Sequence, residues 1–320
     1  MYDVTALGEL LIDFAPICAD DEGYPTISAK PGGAPTNYLA ALSVCGAKTA
    51  LLGKVGQDAF GKLLIGTLKK AGIETAGIVE DPEVFTTLAF VTLSSDGNRS
   101  FSFARKPGAD TCIKFEELKL SLIDEAKIFH FGTLSLTDQP ARLTTQKAVE
   151  YAKAGGKMIT FDPNLRRPLW ESEEEAKTQI LWGLNQADIV KISDEEVDFL
   201  WGLNEQDGAD RVLSEYGVKL VMVTSGPKGA YLKNKNALVY AACPPVKPID
   251  TTGAGDIFCG SAVSRILRFN KPPEKLVEKE LQEIADFAVA AASLSTQRTG
   301  GIPSIPREEE IYAEGYYRGR

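Results

Sequence analysis

Short apolar runs alternate with longer stretches of helical period through most of the chain. VTALGEL leads to NYLAALSVCG and TALLGKVG to FGKLLIGTLKKAG. The same beat resumes from AKIFHFG through the helix around LTTQKAVEYAKAGG, KMITFD, ILWGLNQADIVKIS and VKLVMVTSG to a long C-terminal helical pair. Strands covered on both faces read as near-continuous apolar runs, and crossover helices return the chain to start the next strand in the same direction. The alternation therefore predicts an α/β core, a mostly parallel central sheet flanked by helices in three layers.

Two stretches break the beat, residues 14–31 and 84–108. In the second, TTLAFVTLSSDGNRSFSFARK alternates apolar and polar positions around Asp96-Gly97-Asn98, a β-hairpin signature. Neither stretch has a helix to cover it, so the two are expected to pair as a small antiparallel sheet that projects as a lid over a cleft. No internal repeat or low-complexity linker divides the chain. Its 320 residues are expected to form one large domain, 1–320, with the lid as its accessory part and REEEIYAEGYYRGR as a final surface segment.

Composition narrows the partners. Thirty-five basic residues against forty-four acidic ones give a net charge of −9 with no basic stripe, which argues against nucleic acid. The first apolar stretch, TALGELLIDF, contains Glu9 and Asp13 and has no basic region before it, so it reads as a strand and turn rather than a signal peptide. No apolar run reaches bilayer length, and the expected setting is cytoplasmic, with no membrane partner. Five widely spaced cysteines with no CxxC pair, beside a single histidine, leave neither a disulfide framework nor a zinc site. Cys259 sits with Ile257 and Phe258 on what reads as the buried side of a helix.

The strongest chemical signal is DTTGAGD at Asp250–Asp256, directly followed by the helical IFCGSAVSRIL. Gly253, Ala254 and Gly255 leave the first-turn N–H groups open, and the helix dipole adds to them, so a phosphate can settle there. Asp256 then falls where an incoming hydroxyl would meet a γ-phosphate. A carboxylate positioned to take the hydroxyl proton contributes about 10² to 10⁴ in rate. The same Asp also fits a helix N-cap.

Other candidates are weaker alone. In KPGGAPTN, Gly32 and Gly33 allow close backbone approach and Asn37 can donate and accept, although PGG is also an ordinary turn. Asp13 follows the first strand, where an open parallel sheet delivers ligand-binding groups, or it is a solvated turn residue. FDPNLRRPLW brings Asn164 and Arg166 into one loop suited to phosphate or carboxylate, and Arg105 in FARKPGAD can swing in with the lid or stay exposed. In VTSGPKGA, Thr224, Gly226 and Gly229 fit a nucleotide-side loop or a connection between two strands. Ser193 and Glu196 in KISDEEV can hold water around Mg²⁺, and they equally fit a capping box. No GxxxxGK[ST], GxGxxG or HExxH is present, and the one histidine, His130, lies inside a strand-like run.

GGAPTN in the N-terminal part and DTTGAGD near the C-terminal end together resemble the PfkB or ribokinase family of carbohydrate kinases. The likeness extends to GELLIDF, GKVGQDAFG, RKPGAD, FDPNLR, SDEE, VTSGPKGA and GGIPSIP. The combination GGAPTN, RKPGAD, DPNLRRPLW and KISDEE is most similar to fructokinases. This resemblance implies a ribokinase-like fold and transfer of the ATP γ-phosphate to fructose. It assigns Asp13, Gly32, Gly33 and Asn37 to the sugar, Asp256 to the base, and Gly253, Ala254 and Gly255 to the anion hole. Lys191, Thr224, Gly226 and Gly229 fall on the nucleotide side. The resemblance further implies Mg²⁺, with Glu196 acting through water, and a monovalent cation such as K⁺ at Asp250 and Thr252.

Three positions depart from the family pattern. Ser193 stands where many members carry the Asn of an NxxE motif, Leu39 where a small residue is usual, and Val289 where relatives often carry Asn near the adenine. The rival reading is a 2-keto-3-deoxygluconate kinase, in which Arg105 and Arg166 would neutralise a substrate carboxylate. A homodimer is expected if the exposed face of the lid is apolar.

Overall fold

The structure is a computed structural model and describes residues 1–93 and 99–313. The strands are β1 (Tyr2–Leu7), β2 (Leu11–Ala19), β3 (Pro25–Gly32), β4 (Thr49–Gly56), β5 (Ile73–Asp81), β6 (Leu88–Leu93), β7 (Arg99–Ala104), β8 (Ala126–Gly132), β9 (Met158–Asp162), β10 (Ile189–Ser193), β11 (Leu220–Thr224), β12 (Gly229–Asn234) and β13 (Leu238–Ala242). The α-helices are α1 (Ala34–Val44), α2 (Ala59–Lys70), α3 (Ser121–Asp124), α4 (Ala141–Ala154), α5 (Glu173–Gln186), α6 (Asp194–Trp201), α7 (Glu205–Tyr216), α8 (Ala254–Phe269), α9 (Glu278–Ser295) and α10 (Glu308–Ala313).

Nine strands form one sheet in the order β13-β12-β11-β10-β9-β8-β1-β4-β5. Strands β11 to β5 in that order run parallel, and β12 and β13 add antiparallel pairs at one edge. One face packs on α1, α2, α8 and α9 around Leu39, Leu64, Phe258 and Ile284. The other packs on α4, α5 and α7 around Val149, Ile180, Leu184 and Val212. Both faces are therefore apolar, which is why the strands read as continuous runs. The helices begin where local chemistry supplies acceptors: Asp58 takes the N–H groups of Phe60 and Gly61 at the start of α2, at 2.8 and 2.9 Å.

The second sheet has four strands in the order β3-β2-β6-β7. It departs from expectation in two ways. Its first strand begins at Leu11 rather than 14, so Asp13 lies within this sheet and not at the carboxyl end of β1, which stops at Leu7. The central pair, β2 with β6, is parallel, so only the outer pairs are antiparallel. Period-2 alternation marks a strand but carries no information on its partner's direction. The Asp96-Gly97-Asn98 turn lies outside the described residues. VTSGPKGA does join two strands, β11 and β12, through a single 3₁₀ turn at Gly226–Lys228.

The C-terminal segment is less superficial than expected. Ile311 of α10 is fully buried, and Glu308 pairs with Arg265 and Arg268 of α8.

Candidate active site

Helix α8 starts at the carboxyl edge of the large sheet, and its start follows from TTGAGD. Gly253 caps it at φ 75°, a left-handed conformation that glycine adopts without penalty. The Ala254 N–H turns back to the Thr251 carbonyl at 3.2 Å and is thereby withdrawn from the expected anion hole. Those of Gly253, Gly255 and Asp256 meet no acceptor among the described residues, so they form the open end of the helix. Lys191 adds a charge beside them: a Cβ built on Gly255 would lie 3.0 Å from its Nζ. That ammonium is buried against the Asp162 carboxylate at 3.2 Å, and with Glu196 and Asp256 also near, its pKa is pushed upward and it stays protonated.

Asp256 occupies the first turn of α8 and is buried. Asn37 Nδ2 donates to its Oδ2 at 2.9 Å and Asn164 Nδ2 to its Oδ1 at 3.1 Å. The two amides come from α1 and from the loop after β9, where Asn164 holds a left-handed φ of 45°. Burial raises the pKa of Asp256, while the Asn37 hydrogen bond, Lys191 and Arg166 hold it back. The result is an oriented carboxylate with acceptor capacity left over, beside open N–H groups. Asn37 Oδ1 is buried without a donor among the described residues, an acceptor that a ligand hydroxyl can satisfy.

A cavity of about 250 Å³ opens in front of Asp256. Asp13, Gly33, Asn37, Asn164, Arg166 and Gly253 all reach it, so the structure gathers most of the expected sugar-side residues in one place. Gly33 must be glycine: it has φ 116°, and a Cβ there would lie 2.5 Å from the Glu9 carbonyl oxygen. Gly32 faces Asp13: a Cβ there would fall 2.1 Å from Asp13 Oδ2 and displace the carboxylate. Burial lifts the pKa of Asp13 to about 6, with Arg166 opposing and Asp256 and Asp250 adding to the rise.

Arg105 is not brought to the lining. It lies just beyond β7 with its side chain only 2% exposed, paired with Asp110 at 2.7 Å. Its guanidinium turns behind the cavity wall because Asp110, five residues on, captures it there.

Arg166, Asn164 and Lys191 also border a second, more open cleft of about 740 Å³ with Ser193 and Glu196. Ser193 and Glu196 form the capping box of α6: Ser193 Oγ accepts the Glu196 N–H at 3.2 Å, and Glu196 Oε2 accepts the Ser193 N–H at 2.8 Å. Glu196 Oε1 accepts the Leu165 N–H at 2.7 Å, tying this helix to the Asn164 loop. Each oxygen accepts one N–H and has capacity for a second donor, and the residue borders the cleft, which fits contact with a hydrated cation. Among the described residues no group of three His, Cys, Asp or Glu is placed to hold a metal directly. Thr224 is the register partner of Ser193 at the same sheet edge, and Gly226 and Gly229 follow it. Asp250 Oδ1 accepts from the N–H and Oγ1 of Thr252, and its Oδ2 from the Gly300 N–H at 2.8 Å, so the two residues form one loop tie beside α8.

Glu9 was not singled out by spacing, yet it lines the cavity and accepts the Ala34 N–H at the start of α1 at 2.7 Å. Burial lifts its pKa to about 7. A carboxylate inside an otherwise apolar run was the available signal. Asp162, the partner of Lys191, was visible only as one of several polar residues in its loop.

The chain is similar to known carbohydrate kinases over nearly its whole length. The model of the pfkB family carbohydrate kinases matches residues 1–308. A fructokinase of Zea mays is 42% identical over 314 residues, covering 96% of each chain. A Vibrio cholerae fructokinase solved with fructose, ADP and calcium superposes with a TM-score of 0.85 at 30% identity over 98% of both chains. A double mutant of that protein with fructose, ADP and potassium gives 0.87 at 30% identity over 98% of both. A Xylella fastidiosa fructokinase with bound ATP gives 0.85 at 28% identity, again over 98% of both. With its mostly parallel sheet, its smaller four-stranded sheet and an acid at the glycine-rich start of α8, the chain belongs to the pfkB family of carbohydrate kinases, phosphotransferases that act on a hydroxyl group.

Proposed function

We propose that the protein is a fructokinase, transferring the γ-phosphoryl group of ATP to D-fructose to give fructose 6-phosphate. The observation that carries this reading is Asp256: a buried carboxylate held by two amides, on the same helical turn as unbonded N–H groups and at the mouth of a cavity of about 250 Å³. In this reading Asp256 takes the proton of the acceptor hydroxyl as it attacks. The N–H groups of Gly253, Gly255 and Asp256, with Lys191, receive the charge on the moving phosphoryl oxygens. Asp13, Asn37, Gly32 and Gly33 hold the sugar hydroxyls, and Arg166, which borders both cavities, spans the junction of sugar and phosphate. Thr224, Gly226 and Gly229 form the nucleotide side.

Magnesium would be held through water by Glu196, and when bound it would neutralise phosphate charge. A monovalent cation would sit at Asp250 and Thr252. No described helix is long and apolar enough to cross a membrane, and five free thiols suit the proposed cytoplasmic setting.

ATP-coupled assays on fructose, 2-keto-3-deoxygluconate, ribose and adenosine test the reading. We expect the highest kcat/KM on fructose; a strong preference for the acid would overturn it in favour of the rival kinase.

A further inference from the structure

Behind the sugar cavity lies a buried ionic cluster that phosphoryl transfer does not use. Arg105 Nε and Nη2 donate to Asp110 Oδ2 at 2.9 and 2.7 Å, and Nη2 also donates to the Leu134 carbonyl at 2.8 Å. Nη1 donates to Thr137 Oγ1 at 2.7 Å and pairs with Asp138 Oδ2 at 3.5 Å. Four hydrogen bonds and one longer ion pair thereby hold the guanidinium. The other oxygen of Asp110 accepts from the Thr87 hydroxyl, at the base of the smaller sheet. This cluster adjoins the cavity, since Leu134 and Glu9 form part of the wall and both Arg105 and Asp110 act electrostatically on Glu9.

The ionisable groups that line the cavity itself are the acids Glu9, Asp13 and Asp256 and the base Arg166. Sugar hydroxyls can donate to these acids, whereas a substrate carboxylate would meet the like charges of Asp13 and Asp256. Lys191, beside Asp256, is already paired with Asp162; behind the wall Arg105 is a further cation that could redress the balance, and Asp110 cancels it.

We propose that Asp110 sets the substrate class of this site: by neutralising Arg105 it keeps the cavity selective for uncharged sugars and closed to sugar acids. The inference rests on the sugar-kinase reading above and makes Asp110 a positioning and specificity residue rather than a catalytic one. It is discrimination by repulsion, in which the wrong substrate is denied a counter-charge.

Asp110→Asn tests it, because the amide has the same shape and can still accept from Arg105 while its charge is gone. At saturating ATP, kcat/KM is measured on 2-keto-3-deoxygluconate and on the best uncharged sugar. We expect the ratio of acid to uncharged sugar to rise about tenfold over wild type, as one added charge across a partly desolvated wall implies. A purely structural role would lower both substrates together. A ratio within twofold of wild type would overturn the proposal.

Should Asp110→Asn not fold, Asp138→Asn carries the test. It removes a more distant partner of Arg105 whose side chain is 49% exposed, and we expect the ratio to rise about threefold; no change would overturn the proposal. The fructose reading itself is decided by wild-type turnover alone, so the two can fail separately.

Discussion

A carboxylate accepts protons and hydroxyl donors best while ionised, and burial works against that state at Asp13 and Asp256 alike. For Asp13 the consequence falls in an accessible range. With its pKa raised to about 6, the residue is ionised above that pH and loses its charge below it. KM for fructose should therefore be flat from pH 7 to 8 and climb as pH falls through 6, while Asp13→Asn should show a high KM with little of this dependence. A wild-type KM constant from pH 5 to 8 would remove Asp13 from sugar binding.

Glu9 bears on stability instead. Its folded pKa of about 7 lies above the ordinary 4.5, so between these values the folded protein holds a proton that the unfolded chain releases. That contribution is complete below about pH 4.5 and is lost as pH rises through 7. Glu9→Gln keeps an acceptor for the Ala34 N–H and cannot ionise. Its Tm relative to wild type should rise between pH 5 and 8; a constant difference would contradict the burial argument. Asp256 could be singled out in the sequence because glycines and a helix surround it. The destination of Arg105 could not, because its partner depends on how residues 105 to 110 turn back, which periodicity does not encode.

At the scale of elements, the start of α8 makes the site. Gly253 holds φ 75°, and a Cβ there would stand 3.0 Å from Asn37 Nδ2. Gly253→Ala is expected to cost about 1–2 kcal/mol in stability and to shift Asn37 away from Asp256. Calorimetry and steady-state kinetics check this, with kcat expected to fall more than KM rises; a fall in Tm alone would mean that the cap is only structural. The alternation of strand and helix was readable because every central strand is covered on both faces. The smaller sheet was readable as strands but not as a pairing: β2 and β6 are parallel, and Asp13 belongs to β2. Which strands meet is decided by how the chain leaves the large sheet at Leu7 and returns from β5, a long-range relation without a local signature.

At the scale of the whole molecule, the smaller sheet has an unusual surface. Ile17 and Ile27 are 66% and 43% exposed on neighbouring strands, with Tyr24 exposed at the turn between them. We propose that a second copy covers this face in a homodimer formed through the lid. Sedimentation at several concentrations should show a dimer that Ile17→Lys weakens, and a strictly monomeric profile would exclude the arrangement.

The account as a whole depends on one acid at the start of α8 accepting a proton while the adjacent N–H groups receive phosphate. The direct measurement compares wild type with Asp256→Asn, following binding of fructose and ATP by calorimetry and turnover by ADP release. The expected result is binding of both ligands within a few-fold of wild type and kcat reduced by about 10² or more. Turnover equal to wild type would contradict it.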